Sequence, residues 1–147
     1  SINGHLFKSM MDVVHVDHAS KVVQVYDLKC TWSVENFYDE YYLYRRAYIQ
    51  GYLYFHAASF WASEMGYGDY TILYPKFIVC DSTNYMSPLV YGMSESSMQN
   101  AEEGFEHKGR TYPGVYSLIE DLDWAIENDK WNISKENYIN NGVVKLA

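Results

Sequence analysis

Two opposite charges inside one apolar strand limit what this chain can fold into. The run Val22–Cys30 (VVQVYDLKC) alternates like a strand, so Asp27 and Lys29 share one face and Leu28 takes the other. Burying both charges on a Val-rich face is costly unless they pair or bind something. Asp12 closes the preceding apolar segment His5–Val14 (HLFKSMMDVV), which is expected to form a strand. The stretch Asp17-His18-Ala19-Ser20 suits a hairpin turn that would bring Asp12 beside Asp27.

That set has a definite chemistry. Hydrolysis of a phosphodiester needs an activated water and stabilisation of charge on the leaving and non-bridging oxygens. Divalent cations held by carboxylates supply both, and oxygen-only ligands favour Mg2+, with Mn2+ as substitute. Asp12 and Asp27, with the backbone carbonyl of Leu28, are the candidate metal ligands, and Lys29 would steady the water or offset developing charge. The competing reading is an ordinary Asp–Lys pair on a surface strand. Glu106-His107-Lys108 has the same spacing but lies in a polar stretch without apolar flanks, and no site is assigned to it.

The next segments favour the site. Ser33, with Asn36 nearby, starts a helical region that runs to Glu64, with a break expected near Asp39 and Gly66 and Gly68 ending it. Gln50 and Tyr54 lie four apart on one face of it, in a stripe continued by Ala57 and Trp61. A glutamine in such a stripe wants a partner, which the metal site or a nearby DNA strand would provide. Arg45 and Arg46 stand where they could grip phosphate, although a solvated helix face explains them almost as well.

An Asp-bearing strand, a hairpin, a strand with Asp-x-Lys and a helix with Gln-x-x-x-Tyr resemble the PD-(D/E)XK nuclease superfamily. The pattern spans Leu6 to about Tyr54 and is most similar to phage and prophage exonucleases of the exodeoxyribonuclease VIII and lambda-exonuclease type. The resemblance implies an α/β (α+β) restriction-endonuclease-like core, with a central mixed sheet flanked by helices. It implies catalytic roles for Asp12, Asp27, Lys29 and Gln50, an accessory role for Tyr54, DNA as partner, and possible homo-oligomers. Relatives also place a helix before the first strand. None is read here and the sequence opens at Ser1, so residues 1–147 are expected to be one nuclease-like domain, the C-terminal part of a longer protein. The alternative function is a catalytically inactive nuclease-fold module for DNA binding or assembly.

The remaining sequence sets boundaries. A strand is expected over Tyr70–Cys80, with Pro75 marking an edge or bulge, and a short one over Pro88–Met93. Helices follow over Ser94–Phe105, capped by Ser94 or Ser96, and Gly114–Lys130, and the tail from Trp131 is read as irregular. The net charge of −8 counts against nucleic acid, but ten of the nineteen acids lie from Met93 onward. Cys30 and Cys80 read as reduced, buried thiols, which with the absence of any long apolar span suggests a cytoplasmic protein without membrane contact. His15, Asp17 and His18 are read as a solvated turn rather than a zinc site, because ligands so close in sequence rarely complete a coordination sphere. No Ser-His-Asp ordering or phosphate-cradling glycine loop is present.

Overall fold

The computed structural model describes residues 1–83 and 85–144. It is α+β, built on a four-stranded mixed sheet in the order β1-β2-β3-β4. β1 (Val13–Asp17) and β2 (Val22–Thr31) form an antiparallel hairpin in which Val13 faces Tyr26 and Asp17 faces Val22. β3 (Thr71–Asp81) lies parallel to β2, and β4 (Leu89–Gly92) returns antiparallel. Parallel neighbours need a crossover. Here it is a π-helical segment, Tyr38–Tyr44, followed by α1 (Ala47–Glu64).

The hairpin differs from the sequence expectation. The strand begins after Asp12, not at His5, so Asp12 stands at the entrance of β1 and not at its end. Residues 6–11 have no regular structure, and Ile2 and His5 make an isolated bridge. Alternation explains the shift. Val14 and Val16 sit opposite Val25 and Val23, the two completely buried valines of β2, so the real strand reads through His15.

The crossover breaks at Arg45–Arg46 rather than Asp39, because Arg46 takes a left-handed conformation (φ 57°) just before α1. Neither Ser33 nor Asn36 caps a helix. The far end is as expected, with Met65 at the C-cap and Gly66 in the left-handed region at φ 81°. Pro75 lies on an interior strand and marks a bulge. The register passes from Gln24↔Leu73 to Tyr26↔Lys76, so β3 spends an extra residue there. The buried Gln24 amide donates to the Tyr74 carbonyl (2.8 Å) and the Val25 carbonyl (3.0 Å), filling the gap in the ladder.

One sheet face carries α1. Gly51 permits its close approach, since a Cβ there would lie 2.2 Å from Met93 Sδ. Around this contact Phe37, Tyr48, Tyr52, Phe77, Val79 and Met98 form the main core, and a smaller cluster joins Val25, Tyr54 and Ala58. Truncating a ring as buried as Phe37 or Tyr48 costs roughly 3–5 kcal/mol. The opposite sheet face is open. Leu28, Ile78 and Val90 lie in register across three strands, with Leu28 52% and Val90 57% exposed. Cys30 and Cys80 are directly paired on that face, free, one exposed and one half-buried, which corrects the expectation of buried thiols.

α2 (Glu95–Glu103) is capped by Ser94, whose side chain accepts from Ser97 N–H, and α3 (Val115–Asn128) packs on it. Three elements were not read in the sequence. β5 (Gly104–His107) and β6 (Arg110–Pro113) form a hairpin, so Glu106-His107-Lys108 leads into a turn, and α4 (Lys135–Ile139) interrupts the tail.

Candidate active site

Asp27 follows Val23 and Val25 along the helix-facing side of β2 and is only 2% exposed. β1 pairs with β2 no further than Val13↔Tyr26. Beyond that point the ladder gives way to side-chain chemistry, and the Leu28 amide donates to Asp12 Oδ2 (2.8 Å). The Leu28 side chain is exposed, but its carbonyl lies on the same strand edge as that amide, toward Asp12.

Lys29 Nζ lies 2.6 Å from Asp27 Oδ2 and donates to Gln50 Oε1 at 2.8 Å. Gln50 Nε2 donates to the Tyr54 hydroxyl (2.8 Å), which donates to the Met10 carbonyl (2.7 Å). Met10 lies two residues before Asp12. The polar chain therefore runs from β2 through one face of α1 and back to the segment that carries the first carboxylate. Asp12, Asp27, Lys29, Gln50 and Tyr54 are all brought together.

Asp27 is the anomalous member. Its Oδ2 is held by the Lys29 ammonium at 2.6 Å, an ion pair whose carboxylate side is almost wholly out of water. Burial pushes the Asp27 pKa above the usual carboxylate range. The Lys29 ammonium opposes the rise, and the neighbouring Asp12 carboxylate adds to it. The Tyr54 pKa is raised too, mainly by burial and further by Asp27 and Asp12. The buried Asp27 carboxylate thus has the Lys29 ammonium and the exposed Asp12 carboxylate as neighbours. A buried carboxylate beside a second carboxylate suits a hard cation, for which one or two carboxylates and retained waters suffice. Among the described residues, no group of three or more His, Cys, Asp or Glu converges to hold a metal ion.

Beside this cluster is a cavity of about 430 Å3 lined by Lys8, Ser9, Arg46, Gln50 and Tyr54, among others. The carboxylates themselves stand outside its wall. Arg46 is exposed at the start of α1, while Arg45 ends the π-helical segment with its guanidinium 4.5 Å above the Tyr41 ring. Sequence reasoning missed Tyr41, whose hydroxyl donates to the Cys30 carbonyl (3.1 Å), next to Lys29. Nothing in its spacing marks it out. The Met10 carbonyl was equally invisible, as backbone acceptors are.

The other candidates have structural duties. Asp17 accepts from the Ala19 and Ser20 amides and the Ser20 hydroxyl, which holds its pKa down and ties the turn. His18 bonds the Tyr70 hydroxyl, and Lys108 pairs with Asp39. No helix among the described residues is long and apolar enough to cross a membrane.

Comparison with known proteins adds no assignment: no family model, no curated protein and no solved structure matches the chain.

Proposed function

We propose that this chain is a divalent-metal-dependent DNA nuclease of the PD-(D/E)XK type, working as a phage-type exonuclease. The observation that carries the reading is Asp27, a carboxylate only 2% exposed, with the Lys29 ammonium at 2.6 Å and Asp12 close enough to raise its pKa. A protein would rarely retain such a desolvated charge without a ligand for it. The fold is in keeping with a restriction-endonuclease-like core: an antiparallel hairpin, then a helix crossing over to a parallel strand.

In this reading Asp12 and Asp27 hold Mg2+, with the Leu28 carbonyl as a neutral ligand. The ion, when bound, makes a water nucleophilic near neutral pH and neutralises charge on the phosphate. Lys29 orients the attacking water and faces the non-bridging oxygen as its charge grows. Gln50 and Tyr54 are positioning residues that fix the Lys29 ammonium through their hydrogen-bond chain. Arg45 and Arg46 contact the phosphates of the incoming strand.

The absence of a three-residue ligand group among the described residues favours a second reading, a nuclease fold retained for DNA binding or assembly without catalysis. Activity separates the two. Asp27→Ala and Lys29→Ala should each abolish magnesium-dependent cleavage of linear DNA while the circular dichroism spectrum stays that of a folded chain. Full cleavage by either variant would eliminate the proposed centre. Failure of the wild type both to cleave and to bind manganese would support the second reading, since an intact site should bind the ion and a degenerate one should not.

A further inference from the structure

The chain is acidic and has only three arginines, Arg45, Arg46 and Arg110. Two are adjacent in sequence and the third lies on β6, yet all stand at the junction of the π-helical segment and α1. The Arg110 guanidinium lies 5.9 Å from the Tyr44 ring centre and 5.8 Å from that of Tyr112. Arg45 covers Tyr41 at 4.5 Å, and Arg46 lies near enough to Tyr48 to lower its pKa against the larger effect of burial. All three arginines are exposed, and Tyr44 is 69% exposed. Asp39, an acid on the same segment, is paired with Lys108.

We infer that the exposed Tyr44 ring, flanked by Arg45 and Arg110, forms a platform for single-stranded DNA, with Tyr41 and Tyr112 backing the two guanidiniums. A guanidinium resting on a tyrosine keeps its N–H edge free for phosphate while its plane is held, and an exposed ring offers a face to a base. Cations flanking an exposed π-face suit the phosphates and base of an unpaired strand, and in a duplex those base faces are hidden by stacking. The platform also points somewhere. The Tyr41 hydroxyl is bonded to the Cys30 carbonyl, one residue past Lys29, so the platform adjoins the end of β2 that carries Asp27 and Lys29. The inference rests on the nuclease reading for the destination of the strand, but not for its binding.

The test is fluorescence anisotropy in EDTA, where metal-dependent cutting is silent. Its probes are a labelled oligothymidylate and a duplex of equal length. The single strand should bind more tightly. Tyr44→Leu should weaken it about tenfold, the usual worth of one stacked base. Arg110→Ala should weaken it several-fold and reduce the salt slope by about 0.7, the share of one phosphate contact, and Arg110→Lys should restore only part of the affinity. Duplex binding equal to or tighter than the single strand would overturn the inference, as would wild-type affinity in both Tyr44→Leu and Arg110→Ala. Selective single-strand binding by a chain that cuts nothing with magnesium would sink the nuclease reading and leave the platform standing. Magnesium-dependent cutting by a chain whose Tyr44 and Arg110 variants bind normally would do the reverse.

Discussion

Lys29→Met puts the central claim to the sharpest test, because it removes the ammonium and keeps most of the side-chain volume. In the wild type the Lys29 side chain is 20% exposed and that of Asp27 3%. Breaking a buried ion pair by removing one partner costs about 3–5 kcal/mol. Lys29 is partly wet, so water replaces some of the loss, and about 2–3 kcal/mol is expected at pH 8. The cost must depend on pH. Burial and Asp12 already raise the Asp27 pKa, and Lys29 opposes them, so the variant raises it further. A proton held more tightly when folded adds stability that is fully present below the unfolded carboxylate value of about 3.9 and is lost as pH climbs through the folded value. The penalty should therefore shrink toward pH 5, grow by up to about 1.4 kcal/mol per pH unit between the wild-type and the variant's folded Asp27 pKa, and level off above both. Urea denaturation of the wild type, Lys29→Met, Asp27→Asn and the double variant at both pH values provides the cycle. The double variant has no buried charge, so it should be nearly independent of pH and more stable than Lys29→Met at pH 8. A Lys29→Met penalty below about 1 kcal/mol at pH 8, or equal at both pH values, would refute the desolvated pairing.

The same carboxylate should govern metal affinity. Cation binding displaces the proton that burial favours on Asp27, so manganese affinity by isothermal titration should fall as pH drops through its raised pKa, and Asp27→Asn should flatten the profile. Tyr54→Phe removes the hydroxyl that accepts from Gln50 and donates to Met10. It should cost about 1–2 kcal/mol in urea denaturation and lower kcat more than it raises KM, whereas unchanged stability and kinetics would show that the chain of bonds is idle.

Part of this architecture was legible in the residues. Ser94 capped α2 as its hydroxyl predicted, Gly66 sat at the end of α1, and Pro75 announced a bulge. The entrance to β1 was misplaced because Leu6, Phe7, Met10 and Met11 look like core, whereas Leu6 is 90% exposed and the segment lies along α1 as irregular chain. Local hydrophobicity does not reveal whether a neighbouring strand is there to pair with. The β5–β6 hairpin carried a better signal. Lys108-Gly109 is a two-residue loop with φ of 49° and 72°, the positive pair that a tight hairpin needs, and Phe105 faces Tyr112 across it. A lysine in the first position hid the turn. For the candidate site, side chains separated by short sequence distances were readable, but partners supplied by tertiary contact, such as Tyr41 on the Cys30 carbonyl, were not.

Two buried polar side chains on β2 show why the case rests on Asp27 and not on burial as such. Gln24 is 3% exposed and Asp27 2%, and the Gln24 side-chain oxygen has no donor while Asp27 has the Lys29 ammonium at 2.6 Å. Gln24 has a structural explanation. The β3 bulge leaves the Tyr74 carbonyl without its ladder partner, and the Gln24 amide fills that place. Its orphaned oxygen is neutral, at a cost of roughly 1–3 kcal/mol. Asp27 repairs no backbone gap, because its stretch of β2 stays in unbroken register with β3 from Tyr26 to Thr31. A neutral or apolar residue would therefore serve the fold at least as well there. What remains is the charge itself, aimed at Lys29 and crowded by Asp12. The property that separates it from an asparagine of the same shape is its charge, which pairs with Lys29 and on the proposed reading holds a cation.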